Sequence, residues 1–183
     1  DADDRATGTG AITLDRNPSG AININYLILN VDMSSYTTNT DLELFFDYRH
    51  HGEENHPNDS LWVRGSSSDP WVGIYDLYAN RSTTFITVGA LDIDAALTAA
   101  SQTVSSTFQI RFGQEDNFPT GSDGFSFDNI VLRQTPSCFA PIGLVTSVIT
   151  TTGADFSWND TNAVTAPEYQ YSVGPANFTA GMG

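Results

Sequence analysis

All three histidines of the chain fall in one short run, His50-His51-Gly52-Glu53-Glu54-Asn55-His56, and no other segment concentrates as many groups able to do chemistry. Two histidines on one face of a helix with a glutamate between them make a zinc hydrolase, the imidazoles holding the metal and the carboxylate acting as base. The spacing here is wrong for that. His51 and His56 are five apart, and their surroundings read as a strand end and loop. Catalytic zinc takes three protein ligands in a closed geometry with one position open, so the run reads as a solvated loop. Glycoside hydrolysis needs two carboxylates at a set separation across a sugar bond. Glu53 and Glu54 are adjacent and alternate to opposite faces, while Asp92 and Asp94 share a parity in an alanine-rich stretch with nothing nearby to raise a pKa. No G-x-S-x-G, P-loop or GxGxxG occurs, and the single cysteine, Cys138, lies in a linker between prolines. The expectation is a non-catalytic protein.

Binding chemistry is better represented. Trp62 falls off the core parity of its strand, and Trp71, Tyr75 and Tyr78 follow close by, in or after SSSDPW. Sugars present C–H faces that stack on aromatic rings, with side chains such as His56 and Asn55 supplying directed hydrogen bonds at the rim. Ordinary packing between two sheets is the plain alternative for any one of these tryptophans. A second candidate is a calcium staple. Hard cations prefer carboxylates and loop carbonyls, and Asp123 in a polar loop, Asp128 at a strand kink and Asp15 from the first strand are the expected ligands.

These side chains need strands to carry them. The central stretch is Thr107 to Leu132, in which Phe108, Ile110 and Phe112 alternate with Gln109 and Arg111, the period of a strand with one face on a core. After a polar loop, Phe125 and Phe127 open a second strand, but Ile130 and Leu132 stand on the opposite parity. One extra residue near Asp128 and Asn129 repairs the mismatch, which predicts a β-bulge. Upstream, Ala11–Asp15 reads as a short strand and Ala21–Met33 as a long one. In the latter Ile22, Ile24 and Tyr26 oppose Leu27, Leu29 and Val31, so it is expected to be bulged, buried on both faces, or switching sheets. Asp41–His50 alternates well, with Phe45 the exception on the outer side; Ser60–Gly65, Trp71–Tyr78 and Thr83–Val88 complete the set. Residues 90–102 hold the sole plausible helical turn, with Asp92 as its cap, and a strand end and loop is the equal alternative there.

The totals bound the answer. The chain has 183 residues with 39% hydrophobic and 16% charged, globular values, and its strand-forming residues point to an all-β fold. The net charge is −15 and the seven basic residues are all arginine. Such a field repels phosphate backbones and anionic membrane surfaces, so neither nucleic acid nor membrane insertion is expected. One cysteine excludes an internal disulfide framework.

With these elements placed, the run LFFDYRHHGEENHPNDSLWVRGSSSDPWVGIYDL, then LDIDAAL, then TFQIRFGQEDNFPTGSDGFSFDNIVL, resembles the MAM-like jelly-roll modules of secreted multidomain Bacteroidetes proteins. The strand-rich stretch from Cys138 to Val173, with CFAPIGL, ADFSW and YQYSV, is similar to the opening of a fibronectin type III domain, in which Trp158 takes the place of the core tryptophan and Tyr171 of its neighbour. The resemblance implies a jelly-roll β-sandwich over residues 1–133, a linker over 134–141 and a partial fibronectin-like β-sandwich over 142–183. It also implies a secreted or cell-surface adhesion or recognition module, calcium-stabilised, whose partner is a glycan or cell-surface protein. Export as type IX secretion cargo goes with such a construction. Two other functions remain open: a carbohydrate-binding module attached to a polysaccharide-degrading enzyme or peptidase, and a filament or spacer subunit that self-associates through strand edges. MAM modules carry paired cysteines and an additional N-terminal strand, which this sequence does not show.

Overall fold

Strands with one apolar face bury it only by pairing into sheets and stacking face to face, and the first 135 residues do both. The computed structural model describes residues 5–15, 22–36, 41–52, 54–116, 124–135 and 142–159. In chain order the elements of the first unit are β1 (Ile12–Leu14), β2 (Asn23–Val31), β3 (Leu42–His50), β4 (Ser60–Arg64), β5 (Val72–Asp76), β6 (Ile86–Asp92), α1 (Ile93–Ala99), β7 (Phe108–Asp116) and β8 (Phe125–Gln134). Two four-stranded sheets run β1-β8-β3-β6 and β2-β7-β4-β5. β1 pairs with β8, β2 with β7, β3 with β6 and β4 with β5, all antiparallel. The chain is thus one long hairpin, tipped at the β4–β5 turn and rolled so that alternate rungs fall in different sheets. That is a jelly roll, the expected all-β fold.

The core is filled by the faces that alternation selects. β3 contributes Leu42, Leu44, Phe46 and Tyr48, β7 contributes Phe108, Ile110 and Phe112, and β8 contributes Phe125 and Phe127, all buried. Rings from the two sheets meet at the centre, Phe112 against Phe127 at 4.8 Å between centroids and Phe46 against Phe112 at 5.2 Å. The bulge in β8 lies where parity requires it. Phe45 faces Val131 and Asp47 faces Asp128, leaving Asn129 and Ile130 opposite Phe46 alone. Asn129 takes a left-handed backbone with φ of 48°, a conformation that asparagine tolerates better than most side chains. Beyond it Ile130 and Leu132 return to the core side.

Three strand expectations change. β2 is neither bulged nor covered on both faces: it pairs with β7 in unbroken register from Asn23 to Val31. Leu27, Leu29 and Val31 pack on the core, and Ile24, Tyr26 and Ile28 face outward and remain exposed. β2 is an edge strand of its sheet. β5 is shorter than predicted and β6 begins later, at Ile86, and runs to Asp92. Phe45, the outward exception in β3, is accounted for: its ring lies where a Cβ on Gly89 would sit, and the Arg133 guanidinium stacks on it at 4.2 Å.

Helix α1 forms where a cap and a stop coincide. The Asp92 side chain accepts from the Ala95 N–H, and Ile93 and Leu97 are buried. At its end Ser101, with φ of 58°, lets Ser101 N–H and Gln102 N–H return to the carbonyls of Thr98 and Leu97, a Schellman closure. No helix of the described residues is long and apolar enough to cross a membrane.

The chain divides into two compact units, Asp1–Thr135 and Pro136–Gly183, a boundary inside the expected linker. The second unit shows an antiparallel hairpin of β9 (Ile142–Ser147) and β10 (Asp155–Asn159). The run YQYSV, with Tyr171, lies outside the described residues, as does Cys138.

Candidate ligand-binding face

The outward positions of β7 and β4 carry the side chains that alternation excludes from the core, and the register sets them in rows. Arg111 of β7 faces Ile28 of β2 on one side and Trp62 of β4 on the other; Trp62 in turn faces Gly73 of β5. One step along, Gln109 lies between Asn30 and Arg64. Tyr26 stands opposite Gly113. Two glycines make room for the indole. A Cβ on Gly113 would lie 2.6 Å from the Trp62 ring, and one on Gly73 would lie 3.5 Å from its other end, so the ring is laid across the sheet.

Over this floor the aromatic and cationic groups interleave. The Arg111 guanidinium carbon sits 4.2 Å from the Trp62 centroid, 4.3 Å from Trp71 and 4.5 Å from Tyr26. Arg64 stacks on Trp71 at 4.2 Å. Tyr26 meets Trp62 edge to face at 6.2 Å. Arg64 is pinned by its Nε, which donates to Gln109 at 2.6 Å, and by a terminal nitrogen that donates to the Asp69 carbonyl at 3.3 Å. The Gln109 amide reaches Asn30 in the same row. The Tyr26 hydroxyl donates to Asn58 at 2.9 Å, and the Asn58 amide donates to Glu115 at 2.7 Å.

Trp71 comes from a loop, and the loop is braced from behind. Gly65 ends β4 so close to the backbone after α1 that a Cβ there would lie 2.2 Å from the Thr103 carbonyl oxygen. The buried Gln102 accepts from Gly65 N–H at 2.9 Å and donates to the Pro70 carbonyl at 2.8 Å. Helix α1 therefore acts on the site indirectly, by delivering Gln102.

Not every predicted binding residue belongs here. Tyr75 points inward, edge to face with Phe46 at 5.8 Å and with Tyr48 at 6.1 Å. A bulge in β5 turns it there: Leu61 faces Tyr75 but Trp62 faces Gly73, so Ile74 is the extra residue. Tyr78 stacks under Arg81 at 3.6 Å and against His50 at 6.2 Å, apart from the two tryptophans. Asn55 is exposed in the loop before β4. His56 serves the turn there, its carbonyl accepting from Asp59 N–H and its own N–H donating to the Asp59 carboxylate at 2.8 Å.

Two of the three expected calcium ligands, Asp15 and Asp128, do not converge. Ile12 to Leu14 pair with Phe127 to Phe125, so Asp15 and Asp128 flank opposite ends of β1. Four strand residues separate their levels, about 13 Å at ~3.3 Å per residue. Asp128 is occupied otherwise, accepting from the N–H groups of Ala6 and Thr7 at 2.9 Å each. The Thr7 bond leads in holding its carboxyl below the ordinary value. Asp123 lies outside the described residues, and among those described no three His, Cys, Asp or Glu side chains group as metal ligands.

One constellation imitates a nucleophile and base. His51 Nε2 lies 2.8 Å from the hydroxyl of the buried Ser126. Its Nδ1 lies 3.2 Å from an Arg49 terminal nitrogen. A guanidinium only donates, so Nδ1 accepts and Nε2 carries the proton toward Ser126. That tautomer cannot take the serine proton, and a carboxylate would be needed in the place of Arg49 to reverse it. Asp92 and Asp94 are also spoken for: Asp92 caps α1, and Asp94 accepts from the Leu42 N–H. Burial raises the Asp94 pKa, contrary to the reading that nothing near it would.

Tyr26, Arg64 and Arg111 were not among the predicted ligand-binding residues. The available signal was their parity, since Arg111 alternates against the core on β7 and Arg64 against it on β4. No protein-family model, curated protein or solved structure matches this chain.

Proposed function

We propose that the first unit is a non-catalytic recognition module of a larger exported protein, binding glycan on the outer face of the β2-β7-β4-β5 sheet. The observation that carries this reading is the interleaving of Tyr26, Trp62 and Trp71 with Arg64 and Arg111 on a solvent-facing sheet. Aromatic rings on a rigid strand platform offer flat apolar area at little conformational cost. The resemblance to MAM-like and fibronectin-like modules supports placement at a cell surface or in a secreted chain. The test is a glycan array probed with the wild type and Trp62→Ala. The indole fills outer surface rather than core, so the variant is expected to keep its thermal midpoint within a few degrees and to bind at least about tenfold more weakly. Undiminished binding by Trp62→Ala would remove the site from this face.

A second reading draws on a different observation. From Asn17 to Val31 no residue is charged, in a chain of net charge −15. The edge strand in this run exposes Ile24 at 45%, Tyr26 at 40% and Ile28 at 41%. Natural edge strands are usually blunted by charge, proline or a bulge, and β2 shows none of these. Strand addition by a second copy is the assembly it suits, because the uncharged edge is where two acidic copies repel least. Sedimentation velocity is expected to show concentration-dependent association that Ile24→Lys abolishes. Monomer behaviour at every concentration would exclude it.

A further inference from the structure

Resting on the glycan reading above, we infer that the face selects a saccharide bearing an isolated carboxylate, such as a terminal uronic or sialic-acid-type residue, held by Arg111 and Arg64. The stacking geometry leads there. A guanidinium lying between rings has its flat faces covered and keeps its in-plane N–H groups as the groups on offer. Arg111 has three ring centroids within 4.5 Å, so much of the aromatic area a neutral sugar would stack on is already occupied by a cation. The Nε of Arg111 is buried with no hydrogen-bond partner. Among the described residues no carboxylate pairs with either Arg111 or Arg64; the ion pair described is Arg133 with Glu43, elsewhere on β3 and β8.

The two cations also crowd one another. Burial pulls the Arg111 pKa below its ordinary value; Tyr26 beside it pushes the other way, and the neighbouring Arg64 charge adds a smaller pull downward. An anion between them relieves that repulsion and accepts charge-assisted hydrogen bonds from Arg111 and from the terminal nitrogen of Arg64 that does not reach Asp69. Aromatic walls keep the guanidinium planes in place before the ligand arrives, which lowers the ordering cost of binding.

The overall charge sets the limit on the ligand. A net charge of −15 opposes a polyanion along its whole length. A single acidic sugar at the end of a neutral chain places one negative charge at the two arginines and none against the remaining acidic surface. The positive spot is local, and so is the anion that suits it.

The experiment compares matched oligosaccharides on one array: chains ending in a uronic or sialic-acid-type residue, the same chains with that carboxylate methyl-esterified, and the neutral parents. Binding to the acid form that falls roughly ten- to hundredfold on esterification is expected, the range for losing a charge-assisted hydrogen bond. Arg111→Gln should erase the difference between acid and ester. Arg64→Gln, on a different strand, gives the same comparison should Arg111→Gln melt early. Equal binding to acid, ester and neutral forms, still lost in Trp62→Ala, would overturn the carboxylate inference and leave glycan recognition standing. No binding to any oligosaccharide of the three classes would overturn both.

Discussion

Phe127→Ala is expected to destabilise the first unit by about 3–5 kcal/mol, the usual range for truncating a buried phenylalanine. Phe127 is 1% exposed and stands where the sheets meet. It touches rings from three strands: Phe46 and Tyr48 of β3, Phe112 of β7 and Phe125 of β8. Two independent costs add. Removing the ring forfeits its transfer free energy, and the rigid strands around it cannot close the cavity. The closest contact, with Phe112 at 4.8 Å, bridges the sheets, so Phe112→Ala should couple to it. A double-mutant cycle is expected to return about 0.5–1.5 kcal/mol of interaction. Urea unfolding of the four proteins measures this, and fully additive losses would mean that the two rings are held independently by their own sheets. With ordinary domain stability of ~5–15 kcal/mol, the single variant already sits near the edge of folding.

The second large effect is electrostatic. Asp59 is 1% exposed, in the turn before β4. Its carboxylate accepts from the Glu115 N–H of β7 at 2.9 Å and from the His56 N–H at 2.8 Å, and its carbonyl accepts from Leu77 N–H at 3.0 Å. Burial outweighs the two N–H donors and pushes its pKa up to about 6. A carboxyl whose folded pKa is raised holds its proton more tightly in the folded state, so its contribution to stability is complete below the unfolded value near 4. That contribution is lost as pH rises toward 6 and is gone above it. At 1.36 kcal/mol per pKa unit the swing is about 3 kcal/mol.

Self-repulsion in an acidic chain also eases as pH falls, which would blur the signal in the wild type alone. The difference between wild type and Asp59→Asn removes that background. Wild type is expected to gain on the variant as pH falls from 7 to 4, with the change centred between about 4 and 6. A difference that stays flat across this window would mean that the two N–H donors, rather than burial, dominate at Asp59.

Much of the architecture was open to inspection before any coordinates. Which residues of β3, β4, β7 and β8 face inward follows from alternation, and the bulge at Asn129 follows from the parity break between Phe127 and Ile130. The Asp92 cap was visible because a cap is read within a few residues. Two readings failed for a shared reason. Apolar residues on both sides of β2 read as a bulge, cover on both faces or a change of sheet, and Tyr75 read as a ligand-binding ring. The unbroken β2–β7 register with an exposed outer face, and the Ile74 bulge, decide those matters, and neither is encoded locally. The same holds for Asp15 and Asp128, whose separation depends on how β1 lies along β8.

The faces of β3, β4, β7 and β8 were settled by the chain itself, because side-chain alternation is a property of backbone geometry over neighbouring residues. Neighbours across the sheet were decided only on folding, when Tyr26, Trp62, Trp71 and Arg111 came together from four separate stretches of sequence. Register depends on contacts between residues far apart in the chain, and a slip of one residue would turn a strand's outer face into its core face.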